Sequence, residues 1–307
     1  MTEAWIVARF VHFAAAMAAF GIGAFRIYAF AGSPIPAEAP GRAALDRSLA
    51  RTTIGAALLA LLSAVAIIPF IAAEMTGSDA LAFDPGTWHT VLFDTEFGHV
   101  WCWHLGFAVA LLVLAAMPRQ PWQGAAALAA LLLLASLGLT GHAAMDMGGG
   151  ATHGINQMAH LTAAGLWLGG LVPLGVLLRR AVRPDGADYV ALARVALPHF
   201  SQIGYVAVAL LAITGTVNSV MLVGSFEAFA ATPYGRLLAV KIALFLAMVG
   251  LALGNRFRLM PRLRGPQDAA VPLRTLARSV LAEQAIGLAI LAVVSVLGTW
   301  PPANMAM

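Results

Sequence analysis

Eight apolar runs, each close to the roughly 20 residues a helix needs to cross about 30 Å of hydrocarbon, fill most of this chain and leave it little choice of fold. They fall at approximately 4–31, 49–73, 97–117, 122–142, 154–179, 197–223, 235–257 and 279–300. In lipid every backbone N–H and C=O needs a partner inside its own segment, so runs of this length read as helices. The composition agrees, with 61% hydrophobic and 10% charged residues, against about 25% charged in soluble domains. The expected fold is all-α: a polytopic membrane protein of eight transmembrane helices, one integral domain over residues 1–307.

The arginines set the expected orientation. Arg42, Arg47 and Arg51 lie in the first loop, Arg119 in the third, Arg179, Arg180, Arg183 and Arg194 in the fifth, and Arg256, Arg258, Arg262, Arg264, Arg274 and Arg278 in the seventh. Loops two, four and six are nearly free of Lys and Arg, with Arg236 at their edge. Loops rich in Lys and Arg stay cytoplasmic, which places both termini outside. This pattern accounts for the basic pI, so the partner read from the charge is membrane lipid and not nucleic acid. The start, Met1-Thr2-Glu3-Ala4-Trp5, lacks the basic region of a cleaved signal, and the run after it is expected to be retained as the first span. In loop two, Trp88, Phe93 and Phe97 alternate with Asp94 and Glu96 as an interfacial stretch.

With that orientation, His12, His89, His99, His104, His142, His153 and His160 lie in the outer half or outer loops, and His199 lies inside. A single cysteine, Cys102, excludes an intramolecular disulfide and thiolate clusters, so a metal site must draw mainly on His, Met, Asp and Asn. Mixed imidazole and thioether ligands suit copper. The densest group is loop four, Gly141-His142-Ala143-Ala144-Met145-Asp146-Met147-Gly148-Gly149-Gly150-Ala151-Thr152-His153. There His142, Met145, Met147 and His153 are candidate ligands, with Asp146 as a weaker one, and the glycines let the backbone fold around an ion. The alternative is a flexible turn whose side chains face water.

A second pattern comes from overlaying the hairpins. Arg9-Phe10-Val11-His12, Trp101-Cys102-Trp103-His104, Gln157-Met158-Ala159-His160 and Leu238-Ala239-Val240-Lys241 each place one basic side chain one to two turns below the outer surface. Four divergent two-helix repeats would produce this. At 1.5 Å per residue His12 would lie roughly 10 Å deep, with His104 and His160 at a matching level. Ionisable residues inside a bilayer face the bundle interior, so these three form the favoured inner metal site. Interhelical hydrogen bonding of each ring is the structural alternative. His99, Cys102, Asn218 and Met221 are weaker candidates, and Thr214 and Asn218 also read as interhelical glue. Lys241 either closes the cavity against cations or pairs with Asp146 or Glu227. Glu283 is expected to pair with a cytoplasmic arginine, and His199 to be satisfied at the interface.

Two stretches carry a family resemblance. His160-Leu161-Thr162-Ala163-Ala164-Gly165-Leu166-Trp167-Leu168-Gly169-Gly170-Leu171 resembles the His-Leu-x-Ala-Ala-x-Leu-Trp-Leu-Gly-Gly-Leu element of the CopD copper-resistance family. Thr214-Gly215-Thr216-Val217-Asn218, Thr232 to Lys241 and Gly254-Asn255-Arg256 resemble the C-terminal core of the same family, so the similar region is about 155–260. The N-terminal half is similar in architecture alone. The resemblance implies a bacterial inner-membrane protein that takes copper from the periplasm toward the cytoplasm, often beside a separate periplasmic carrier, CopC. Copper would be captured by His142, Met145, Met147 and His153, passed to His12, His104 and His160, and released inward. No GxxxxGK[ST] phosphate loop is present, so transport would be passive or ion-coupled and no enzymatic activity is expected. Two rivals remain: a b-type haem protein, since bis-histidine ligation also needs intramembrane histidines at one level, and a non-transporting copper sensor or assembly subunit.

Overall fold

The computed structural model describes residues 2–117, 119–140, 150–263 and 270–303. Among them every regular element is helical: α1 (Thr2–Tyr28), α2 (Pro40–Thr76), α3 (Pro85–Phe93), α4 (Glu96–Ala116), α5 (Arg119–Ser136), α6 (Gly150–Ala164), α7 (Gly170–Ala181), α8 (Ala187–Val223), α9 (Phe226–Ala231), α10 (Pro233–Gly254) and α11 (Ala270–Leu297). Eight stretches are long and apolar enough to cross a membrane. Two of them contain a π segment, Gly165–Gly169 between α6 and α7 and Asn255–Leu259 after α10.

Three helices begin well before the expected spans. α2 starts at Pro40, α8 at Ala187 and α11 at Ala270, about nine or ten residues ahead of the apolar runs. At 37 residues each, α2 and α8 are about 55 Å long, well beyond a 30 Å hydrocarbon core. All three extensions lie at the arginine-bearing end. Hydropathy misses them because charged residues interrupt their apolar ones, and side-chain contacts tie the starts of α2 and α8 to their neighbours. Arg26 of α1 meets Asp46 of α2 with Nη2···Oδ1 2.7 Å, Arg42 donates to the Ile35 carbonyl, and Arg180 donates to Tyr189 Oη at 3.2 Å. At the opposite end Gly77, at φ 65°, closes α2, a conformation that glycine adopts without a Cβ penalty.

α1 is the central helix, packed against α2, α5, α7 and α11. Its closest crossing is with the π segment, where a Cβ on Gly21 or Gly169 would overlap the opposing backbone. Small residues allow such approach where no hydrophobic force drives helices together. Around α1, the helices α2, α4 and α5 complete a four-helix group, while α6 to α8, α10 and α11 build the other half. In the connection between α2 and α4, α3 is a short helix capped by Asp84, whose carboxylate accepts from the Thr87 amide at 2.7 Å and from its hydroxyl at 2.9 Å.

Candidate metal centre

The four-helix group closes on a buried polar knot with one contribution from each helix. His12 of α1 and His104 of α4 are 1% and 0% exposed, and their Nε2 atoms lie 2.9 Å apart. His12 Nδ1 sits 2.9 Å from Ser63 Oγ of α2 and 3.1 Å from the Ala60 carbonyl oxygen. His104 Nδ1 sits 2.8 Å from Ser136 Oγ of α5. Trp101 stacks on the His104 ring with centroids 4.6 Å apart, and its indole N–H donates to the Ala64 carbonyl at 3.3 Å.

Counting hydrogens assigns the tautomers. The Ser63 hydroxyl donates to the Leu59 carbonyl at 2.6 Å, and the Ser136 hydroxyl to the Leu133 carbonyl at 2.8 Å. Each serine has thus used its one hydrogen, and toward the imidazole its oxygen accepts. With these serine bonds in place both Nδ1 atoms carry N–H and both Nε2 atoms of the neutral rings present lone pairs to each other; with the Ser136 hydrogen turned to His104 Nδ1, His104 Nε2–H donates to His12 Nε2 instead. A buried acceptor without a donor costs about 1–3 kcal/mol. A cation between the rings removes that cost on both sides at once. It is either a shared proton or a metal ion. Metal–imidazole bonds near 2.0–2.1 Å place two ligands of a tetrahedral ion roughly 3.3 Å apart, a few tenths of an ångström beyond the present separation. Anchoring of the far ring nitrogen by a polar partner is also how metal-ligating histidines are oriented.

A haem does not fit the pair. Axial histidines stand on opposite faces of the macrocycle, which would have to slide between nitrogens 2.9 Å apart beside a stacked indole.

His160 lies elsewhere. Half-buried on α6, its Nδ1 is 2.8 Å from Thr214 Oγ1 of α8. Around it Asn156 donates to the Thr214 carbonyl at 3.0 Å and to Asn218 Oδ1 at 2.8 Å, and Asn218 donates to Gln157 Oε1 at 2.8 Å. Lys241 of α10 is near enough to act on the His160 ring electrostatically. Among the described residues no three His, Cys, Asp or Glu side chains come together as a metal-holding group. The expected trio is thus a contacting pair plus a histidine held by a separate polar network. His153 is buried on α6, and Met221 is half-buried on α8. His99 is exposed, with Nε2 2.9 Å from the Phe93 carbonyl oxygen, and Cys102 reaches the Leu92 carbonyl at 3.6 Å. His199 bonds the Ala29 carbonyl oxygen at 3.0 Å. His142, Met145, Asp146 and Met147 lie outside the described residues. Glu283 departs from expectation: among the described residues its partner is the Asn255 amide at 2.6 Å and not an arginine.

Residues 1–153 match the family model described as copper resistance protein D-like, N-terminal domain, and residues 194–297 match that of copper resistance protein D. The chain is 33% identical to inner membrane protein YebZ of Escherichia coli over 97% of its length and 98% of that protein. It is 32% identical to copper resistance protein D of Pseudomonas syringae over 97% of its length and 96% of that protein. This chain belongs to the CopD family. A further relative, copper transport protein CutJ of Bacillus subtilis, is 31% identical over 75% of the chain and 41% of its own length. No solved structure matches it. The His12–His104 pair falls inside the stretch that matches the N-terminal CopD-like model, while Thr214, Asn218, Lys241 and Glu283 fall inside the stretch that matches the C-terminal one. Within this CopD-family chain the residues that sequence reading missed are Ser63 and Ser136. Each is a single hydroxyl in an otherwise apolar run, Leu61-Leu62-Ser63-Ala64-Val65 and Leu134-Ala135-Ser136-Leu137, and that isolation was the available signal.

Proposed function

We propose that this CopD-family membrane protein seats a copper ion between His12 and His104 and carries it from the periplasm toward the cytoplasm. The carrying observation is the pair of buried imidazoles whose Nε2 atoms lie 2.9 Å apart, a spacing that a cation held between them would bridge. The printed names of two relatives, copper resistance protein D and copper transport protein CutJ, favour copper as that cation. The arginine distribution supports an orientation with both termini outside, which puts the pair within the outer half. His142, Met145, Met147 and His153 would take the ion at the surface, and His160, with Thr214 and Asn218, would form a second polar station. A separate CopC-like periplasmic carrier would deliver the ion. No chemical transformation is assigned, and the chain acts as a conduit and not an enzyme.

The test pairs elemental analysis with uptake. Purified protein exposed to copper and then washed should retain at least one ion, and His12→Ala and His104→Ala should each lose that ion. In proteoliposomes the same variants should abolish copper entry. Equal retention in wild type and both variants removes the pair from the function. Retention without uptake in wild type would mark a copper sensor or assembly subunit instead.

A further inference from the structure

The arginine-bearing half holds a titratable group that the copper route does not use. Between the π segment Gly165–Gly169, α8, α10 and α11 lies a cavity of about 90 Å³, space for roughly three waters at about 30 Å³ each. Trp167, Phe200 and Leu276 contribute to its apolar wall, and Glu283 lines it from the middle of α11. The Glu283 side chain is 2% exposed and takes a hydrogen bond from the Asn255 amide at 2.6 Å.

A buried carboxylate is costly unless a countercharge meets it. The titratable side chains that share the cavity are Tyr205 from α8 and Arg256 from the second π segment; no charged side chain lines it from α7, α10 or the Met260–Leu263 turn. The Arg256 guanidinium carbon stands 5.8 Å from the Tyr205 ring centroid, and the ion pair found among the described residues is Arg26–Asp46, not one with Glu283. Among the described residues no group of three His, Cys, Asp or Glu side chains forms around Glu283, so the cavity does not have the makings of a metal site. The small cation that needs one oxygen and a few waters is a proton. Both π segments border this cavity, through Trp167 on one side and Asn255 with Arg256 on the other. Such turns recur at functional sites, and here the second one presents the Asn255 amide to the acid.

We infer that Glu283 is a proton-binding site, loaded and unloaded through this cavity from the arginine-bearing side, and that its proton is the ion coupled to metal movement. A hydronium in the cavity gives its proton to a carboxylate oxygen and leaves a water; release runs the same step backward, with no other co-reactant. The coupling clause rests on the transport reading above, whereas the proton site stands without it.

Infrared difference spectra of the full chain between pH 5 and pH 9, taken without copper, test the site itself. Wild type should show a carboxylic acid C=O band that shifts in D₂O and disappears in Glu283→Gln. Asn255→Ala should keep the band at higher frequency, since one hydrogen bond is gone. A spectrum unchanged in Glu283→Gln overturns the site. A pH-sensitive dye trapped in proteoliposomes tests the coupling. Copper entry should change the internal pH in wild type but not in Glu283→Gln, which should still retain copper at wild-type stoichiometry. An unchanged dye response in that variant overturns the coupling. A wild type that retains no copper fails the metal reading while the infrared band still decides the proton site.

Discussion

At the scale of single residues, the histidine pair depends on two serines that touch no ion. Ser63 and Ser136 hold the Nδ1–H groups and so keep both Nε2 lone pairs aimed at one point. Removing such an outer partner typically weakens metal binding 10–100-fold. Ser136→Ala should lower copper affinity by about that range, as measured by competition with a copper chelator, with little change in the helical circular dichroism. Ser63→Ala should do less, because the Ala60 carbonyl still accepts from His12. A metal ion must also displace whatever proton the rings share. Copper affinity should therefore fall as pH is lowered, with release of about one proton per ion bound, which a titration in two buffers of different ionisation enthalpy would detect. An affinity independent of pH would show that the empty pair holds no shared proton.

Among the elements, the crossing of α1 with the π segment brings two backbones into close approach at Gly21 and Gly169. Gly21→Ala places a methyl where the Gly169 backbone lies, and overpacking of this kind costs about 1–3 kcal/mol. Thermal unfolding in detergent should shift down for Gly21→Ala and stay near wild type for Gly55→Ala, whose added methyl meets open space. The short helix α3 has its own acid sensitivity. The Thr87 amide and hydroxyl hold the Asp84 carboxyl below its usual range. A depressed folded pKa means the cap is intact above the ordinary carboxylate range and is lost as pH falls through the lower folded value. The protection factor of the Thr87 amide, its exchange rate relative to an unstructured amide at the same pH, should therefore be high at neutral pH and fall in acid, and Asp84→Ala should lower it throughout. The spanning helices were legible because 20 apolar residues in a row admit few other structures. The starts of α2, α8 and α11 were not, because charged residues break up the apolar run there, and contacts such as Arg26 with Asp46 and Arg180 with Tyr189, which hydropathy does not register, tie α2 and α8 to their neighbours.

For the molecule as a whole, His12 and His104 were legible as buried basic positions on neighbouring helices, since an ionisable group in lipid must turn inward. What the sequence could not supply was the pairing. Equal depth does not specify which rings meet, and His160 turned to Thr214 and the Asn156–Asn218 network instead. The orientation is open to direct measurement. In a Cys102→Ser background, single cysteines at Ser78 and Ser225 should react with a membrane-impermeant thiol reagent added to intact cells, and cysteines at Ala187 and Ala43 should react after lysis alone. The reverse pattern would invert the proposed direction of flow.

The nearly complete enclosure of the two imidazoles has a kinetic corollary. An ion that arrives at the surface finds no standing channel between those rings, so it waits for neighbouring helices to part, a motion on the microsecond to millisecond scale or slower. Loading should therefore stop accelerating once copper is abundant, with a plateau set by the frequency of opening. The same closure that slows arrival should give the captive ion a long dwell time, shielded from water and competing thiols until the bundle opens again.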